Sequence, residues 1–120
     1  MFLNPGTDDC RNASGISDGA ASLIVASEDA VKKHNMKPLA RVVNWFYTGV
    51  DPSIMGIGPV PAIKGALQRA GLSLKDMNRV EVNEAFAVQY LAVEKELGLD
   101  RSNTNINGGA ISLGTILQLG

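Results

Sequence analysis

The chain has 120 residues, 45% of them hydrophobic, with a formal net charge of −1. That length allows one small domain or a part of a larger one, and an apolar fraction of this size argues against disorder. A near-neutral balance with no basic block gives no reason to expect a nucleic-acid partner, and an apolar run such as residues 23–26 is far too short to span a bilayer.

The first residues are turn-rich: Asn4-Pro5-Gly6-Thr7-Asp8-Asp9 reads as an irregular lead-in. Residues 1–20 carry Asp8, Asp9 and Asp18 and no cationic amphipathic stretch, so no cleavable presequence is visible. Cys10, the single cysteine, has no internal disulfide partner and fits a reducing compartment. Its neighbours Asp8 and Asp9 disfavour a thiolate while Arg11 opposes them, so it reads as an ordinary cysteine.

Small residues fill 12–19, and residues 20–26 form a short apolar run that suits a buried strand or the end of a helix. Ser27 is a natural N-cap, with Glu28 and Asp29 in the first turn and Lys32, Lys33 and His34 at the far end. That arrangement predicts a short helix with its charges set against the dipole, stopped by Pro38. His34 then serves as a solvated dipole partner. Residues 39–50 are rich in branched and aromatic side chains (Val42, Val43, Trp45, Phe46, Tyr47) and predict a strand.

A glycine–proline loop over 55–61 feeds a helix over 62–70, with Pro59 or Pro61 tolerated in the first turn. Ile63, Ala66, Leu67 and Ala70 form its apolar face, and Gly71 stops it. Met55-Gly56-Ile57-Gly58 lacks the third glycine and the lysine of a phosphate loop, so it reads as a plain turn. Ser73 and Asp76 cap a further short turn.

Val80 and Val82 alternate with Arg79 and Glu81, the pattern of a half-buried strand. Phe86, Tyr90, Val93 and Leu97 then recur at helical spacing until Gly98. Asn105-Ile106-Asn107-Gly108-Gly109 places a double glycine, a permissive bend, after a possible short strand. Alternating strands and helices predict an α/β architecture with helices laid on a sheet.

Asn83 and Glu84 lie where the strand gives way to the helix, at a sheet end where ligands collect in α/β folds. There an asparagine amide can donate to a developing oxyanion or hold a water that does, and a glutamate can accept a proton or orient a partner. The simpler alternative makes Asn83 the N-cap of a helix over 84–97 and Glu84 a first-turn acid. No spacing of side chains points to a metal, nor to a serine–histidine–acid triad.

Four motifs resemble those of the thiolase family, in its order and at its spacing. They are Asn12-Ala13-Ser14-Gly15 with Asp18-Gly19-Ala20, Met55-Gly56-Ile57-Gly58-Pro59-Val60-Pro61-Ala62, Val82-Asn83-Glu84-Ala85-Phe86-Ala87, and Asn105-Ile106-Asn107-Gly108-Gly109-Ala110-Ile111. Residues 27–62 look most like the branch that serves mitochondrial fatty-acid β-oxidation. The resemblance implies part of an α-β-α-β-α layered fold, mostly its C-terminal half. Residues 1–26 then end the N-terminal half, 27–114 belong to the C-terminal domain, and 115–120 are an off-pattern tail.

The resemblance also implies chemistry: thiolytic cleavage of a 3-ketoacyl-CoA, with coenzyme A as substrate, no cofactor and no metal. By it, Asn83 helps form an oxyanion hole through a bound water, Ser14 touches the pantetheine arm, and Met55, Ala85 and Phe86 line the acyl and pantetheine pocket. Glu84 orients its neighbours. Acyl-CoA and other thiolase subunits are the implied partners, and mitochondria the implied location.

The departures are as informative. The family continues Gly-Gly-Ala-Ile into a Gly-His-Pro motif carrying its catalytic histidine, whereas Gly114 here precedes Thr115-Ile116-Leu117. Cys10 does not align with the nucleophilic cysteine, and the chain stops short of the acid/base cysteine. Without nucleophile, base and acid, covalent acyl transfer has no chemical means. The expectation is a truncated thiolase, inactive alone. Its alternatives are an acyl-CoA-binding module and a module that docks onto thiolase subunits.

Overall fold

The computed structural model describes residues 12–116. Its elements in chain order are β1 (Ile16–Ser17), α1 (Glu28–Lys33), a 3-10 helix (Pro52–Ile57), α2 (Pro59–Ala70), a 3-10 turn (Leu74–Asp76), α3 (Ala87–Leu97), α4 (Ala110–Leu113) and β2 (Thr115–Ile116). The helices form where local chemistry starts and stops them. Ser27 Oγ accepts from the Ala30 N–H at 3.2 Å to open α1. Asn35, at φ 48°, closes it before Pro38 is reached.

Asp51 caps the first 3-10 helix by accepting from the Ser53 N–H and hydroxyl at 2.8 and 2.7 Å. α2 begins at Pro59, three residues earlier than the sequence predicts, and both Pro59 and Pro61 fall in its first turn. Gly71 ends it in the left-handed conformation at φ 68°, which a glycine adopts without strain. Gly98 does the same for α3 at φ 63°.

The strands depart further from expectation. Residues 39–50 form no ladder among the described residues, and Val42, Val43 and Tyr47 stand exposed. Residues 20–26 are likewise irregular and exposed, neither buried strand nor helix end. β-forming side chains favour a pleated, half-buried surface, and no neighbouring strand offers one here. What anchors residues 39–50 is aromatic: the Phe46 ring lies so close to α2 that any Cβ at Gly65 would overlap it. Trp45 stacks on Tyr47 at 5.6 Å and lies beneath the Arg69 guanidinium.

The expected strand at Val80–Val82 is reduced to one parallel bridge, Val80 to Thr104. The core sits around it. Val60 of α2, Val82, Val93 of α3 and Leu99 are its buried residues, flanked by Ile57, Ile63, Leu74 and Tyr90. Val93 is fully buried, a contribution of about 1.5–3 kcal/mol for a side chain of this kind. The first and last described residues are drawn in by pairing: Ala13 bridges Phe86 antiparallel, and β1 runs parallel to β2 with Ile16 opposite Thr115.

Candidate functional site

The segment from Val82 to Phe86 is held by hydrogen bonds on both sides, and that fixes the backbone around Asn83. Val82 donates its N–H to Asn105 Oδ1 at 2.8 Å, while Asn105 Nδ2 donates to the Val82 carbonyl at 2.9 Å. One side-chain amide thus replaces a strand neighbour. Asn105 sits in the left-handed region at φ 48°, a conformation asparagine tolerates better than most residues. Its Nδ2 also donates to Glu84 Oε1 at 3.2 Å, and Glu84 Oε2 accepts from the Ile111 N–H at 3.2 Å.

Glu84 therefore clasps Asn105 and the first turn of α4 together. Gly109 makes the clasp possible, because a Cβ there would overlap the Glu84 carboxylate. On the far side, the Ser14 N–H donates to the Ala85 carbonyl at 3.2 Å and the Ala87 N–H to the Asn12 carbonyl at 2.8 Å. Helix α3 starts only at Ala87, with Phe86 as its N-cap residue. Asn83 is not the N-cap of a helix over 84–97, which corrects the simpler sequence reading. The residues around it are instead tied to Asn105, Ser14 and Asn12.

Two cavities meet at Asn83. The larger, of about 670 Å³, is walled by the 3-10 helix (Pro52, Ile54, Met55), by Pro59 and Ile63 of α2, and by Val82, Ala85, Phe86 and Gln89. The smaller, of about 510 Å³, lies between Asn83, Asn105, the Gly108–Gly109 bend, Gly114 and Thr115. Asn83 borders both cavities, and its side chain makes no hydrogen bond among the described residues.

The structure brings together Asn83, Met55, Ala85 and Phe86, all on the larger cavity. It does not bring Ser14 there: that half-buried residue braces Ala85 from behind through its backbone and lines neither cavity. Thr115 enters the smaller cavity, its N–H held by the Gly15 carbonyl at 2.7 Å. His34, exposed as the C-cap of α1, lines neither, and Cys10 lies outside the described residues. Tyr90 has its phenol pushed up by burial and then by the charges of Glu94 and Glu84, so it stays neutral.

Sequence inspection missed Asn105 and Gln89. Gln89 falls three residues after Phe86 and four before Val93, a polar residue inside an apolar helical stripe, and that interruption was its visible signal. Asn105 was visible only as the first residue of the Asn-Ile-Asn-Gly-Gly motif, and its role stayed hidden because its partner Val82 is 23 residues away. Among the described residues no cluster of three or more His, Cys, Asp or Glu could hold a metal, and no helix is long and apolar enough to cross a membrane.

The fold is that of the thiolases. The chain superposes with a TM-score of 0.88 on the crystal structure of human mitochondrial 3-ketoacyl-CoA thiolase in complex with CoA, at 69% identity over 95% of this chain and 29% of that one. The family model for the thiolase C-terminal domain matches residues 36–118, and this chain belongs to the thiolase family. It is 69% identical over 114 residues to the mitochondrial 3-ketoacyl-CoA thiolase of Bos taurus. It is 52% identical over 113 residues to the acetyl-CoA acetyltransferase of Escherichia coli (strain K12). The chain spans 29% of the length of each of these relatives.

Proposed function

We propose that this chain supplies one wall of an acyl-CoA pocket for thiolase chemistry, the CoA-dependent cleavage of a 3-ketoacyl-CoA, with CoA entering as substrate. Asn83 polarises the thioester oxygen through a bound water, a role that needs an amide free of other partners and fixed in place. Glu84 positions it from the adjacent residue. Met55, Ala85 and Phe86 receive the acyl and pantetheine chain, and Ser14 supports Ala85. The observation that carries this reading is the convergence of Asn83 with Met55, Ala85 and Phe86 on one largely apolar cavity.

Turnover by the 120-residue chain itself is expected at background. Thr115 stands where the family motif has histidine, and the one histidine and one cysteine of the chain are His34 and Cys10. Calorimetric titration with acetyl-CoA tests the binding, and a thiolysis assay on the same sample tests the chemistry. Saturable heat without turnover supports the proposal; no heat at millimolar ligand overturns it. Mitochondria are the location that its relatives' names support.

A second reading has its own observation. Leu23, Ile24, Leu39 and Val42 stand exposed, with nothing among the described residues to cover them. Such faces suit docking onto thiolase subunits. Co-purification with an intact thiolase, compared with an unrelated α/β domain of similar size, tests that reading.

A further inference from the structure

We infer that Asn105 positions the Asn83 amide, because its one side chain bonds to the residues on both sides of Asn83. The inference rests on the reading of Asn83 as the polar contact of the thioester oxygen. Asn83 is exposed and its side chain makes no hydrogen bond among the described residues, so the backbone that carries it sets its place. Val82, just before it, gives its N–H to Asn105 Oδ1 and receives Asn105 Nδ2 on its carbonyl. Glu84, just after it, receives the same Nδ2 on its carboxylate.

Asn105 is itself fixed. Its N–H donates to the Val80 carbonyl and its carbonyl accepts from the Gly108 N–H, both at 3.0 Å. Every polar atom of the residue is therefore engaged, and both Nδ2 hydrogens have acceptors. The side chain has one workable orientation. Reversed, its NH₂ would face the Val82 N–H, and its oxygen would face a carbonyl and a carboxylate. An aspartate could accept from Val82 but donate to neither acceptor, and an alanine could do none of this.

A donor held in place before the ligand arrives needs no reorganisation when charge gathers on an oxygen. Asn105 borders the smaller cavity beside Asn83, yet its side chain is spent on the chain, so it acts on a ligand through Asn83. Its loss frees the backbone on one side only. Ala85 and Ala87 keep their bonds to Ser14 and Asn12, which leaves the wall formed by Ala85 and Phe86 anchored. Asn105 therefore governs the part of binding that depends on the thioester carbonyl and spares the apolar part.

The test uses the 120-residue chain with two probes, acetyl-CoA and S-ethyl-CoA, a thioether of equal length without the carbonyl oxygen. The wild type should prefer acetyl-CoA about fivefold, the size of one net hydrogen bond. Asn105→Ala should abolish that preference and leave the S-ethyl-CoA affinity unchanged. In an Asn83→Ala background it should change the preference no further. Thr104→Val removes a buried hydroxyl's bond to the Asp100 carbonyl next door, and should lower stability while keeping the preference. Equal weakening of both probes by Asn105→Ala, an intact preference in that variant, or a preference lost in Thr104→Val would overturn the proposal. A readout on the wild type holds even where Asn105→Ala does not fold. Both Asn105 Nδ2 hydrogens should exchange with solvent more slowly than those of the exposed Asn107, and equal rates would overturn the proposal. If the wild type shows no preference or binds neither probe, the Asn83 reading fails and this one fails with it.

Discussion

Val82 and Val42 belong to segments that look alike in sequence, each a short stretch of β-branched residues, and they meet opposite fates. Val82 is 6% exposed and Val42 is 74% exposed. Val82 has α2 and α3 packed beside it, and the Asn105 amide in the place of a strand neighbour. Val42 has neither cover nor ladder among the described residues. Hydrophobic character gives a segment a reason to be buried; a partner alone buries it. The site lies entirely in the partnered region.

The strongest way to break that contrast is to charge both valines' regions. Val93→Asp puts an unpaired carboxylate into the fully buried core position and should cost more than about 4 kcal/mol, seen as loss of the helical circular-dichroism signal. Val42→Asp should change stability by no more than about 0.5 kcal/mol. Comparable unfolding by both would end the distinction.

Asn105→Ala sharpens it next. The substitution strips Val82 of both backbone partners and releases Glu84, so a loss of about 2 kcal/mol in urea denaturation is expected. A smaller loss follows from Gly109→Ala, about 1–2 kcal/mol, because the new methyl displaces the Glu84 carboxylate. In a Glu84→Ala background the same change should cost little, and the coupling between the two can be read from a double-mutant cycle. Additive losses would remove Glu84 from the clasp.

The smallest effect is electrostatic. The Asp76 and Asp51 carboxyls lie below their usual 3.8, chiefly through hydrogen bonds from the Ser73 and Ser53 hydroxyls and then from those residues' N–H groups. Asp100 is lowered first by the Ser102 N–H and then by its hydroxyl. A carboxylate favoured by folding adds stability that is complete above the unfolded value of 3.8 and is lost as pH falls through the lower folded value. Stability should therefore be flat from neutral pH down to about 4 and decline below it. Asp76→Asn should shrink that decline slightly.

Local signals were legible and distant ones were not. Ser27, Gly71 and Gly98 act within one turn of themselves, so they marked helix ends that the structure keeps. The strands at 39–50 and 79–82 were overestimated because a ladder depends on residues elsewhere in the chain. The start of α3 was misplaced for the same reason: Asn12 and Ser14, some seventy residues away, tie down Ala85 and Ala87 so that the helix opens only at Ala87. The family motifs singled out Asn83, Met55, Ala85 and Phe86, which share one cavity, yet they did not say that Ser14 supports Ala85 from behind or that Gln89 lines that cavity.

The account stands on the Asn83 amide being the polar contact of an acyl-thioester pocket. Its most direct test is a titration of ¹⁵N-labelled chain with acetyl-CoA, following the Asn83 side-chain NH₂ resonances together with the Met55 methyl and the Phe86 ring. The account predicts that all three move together and saturate at one ligand concentration. Saturable shifts elsewhere, with the Asn83 amide unmoved, would contradict it.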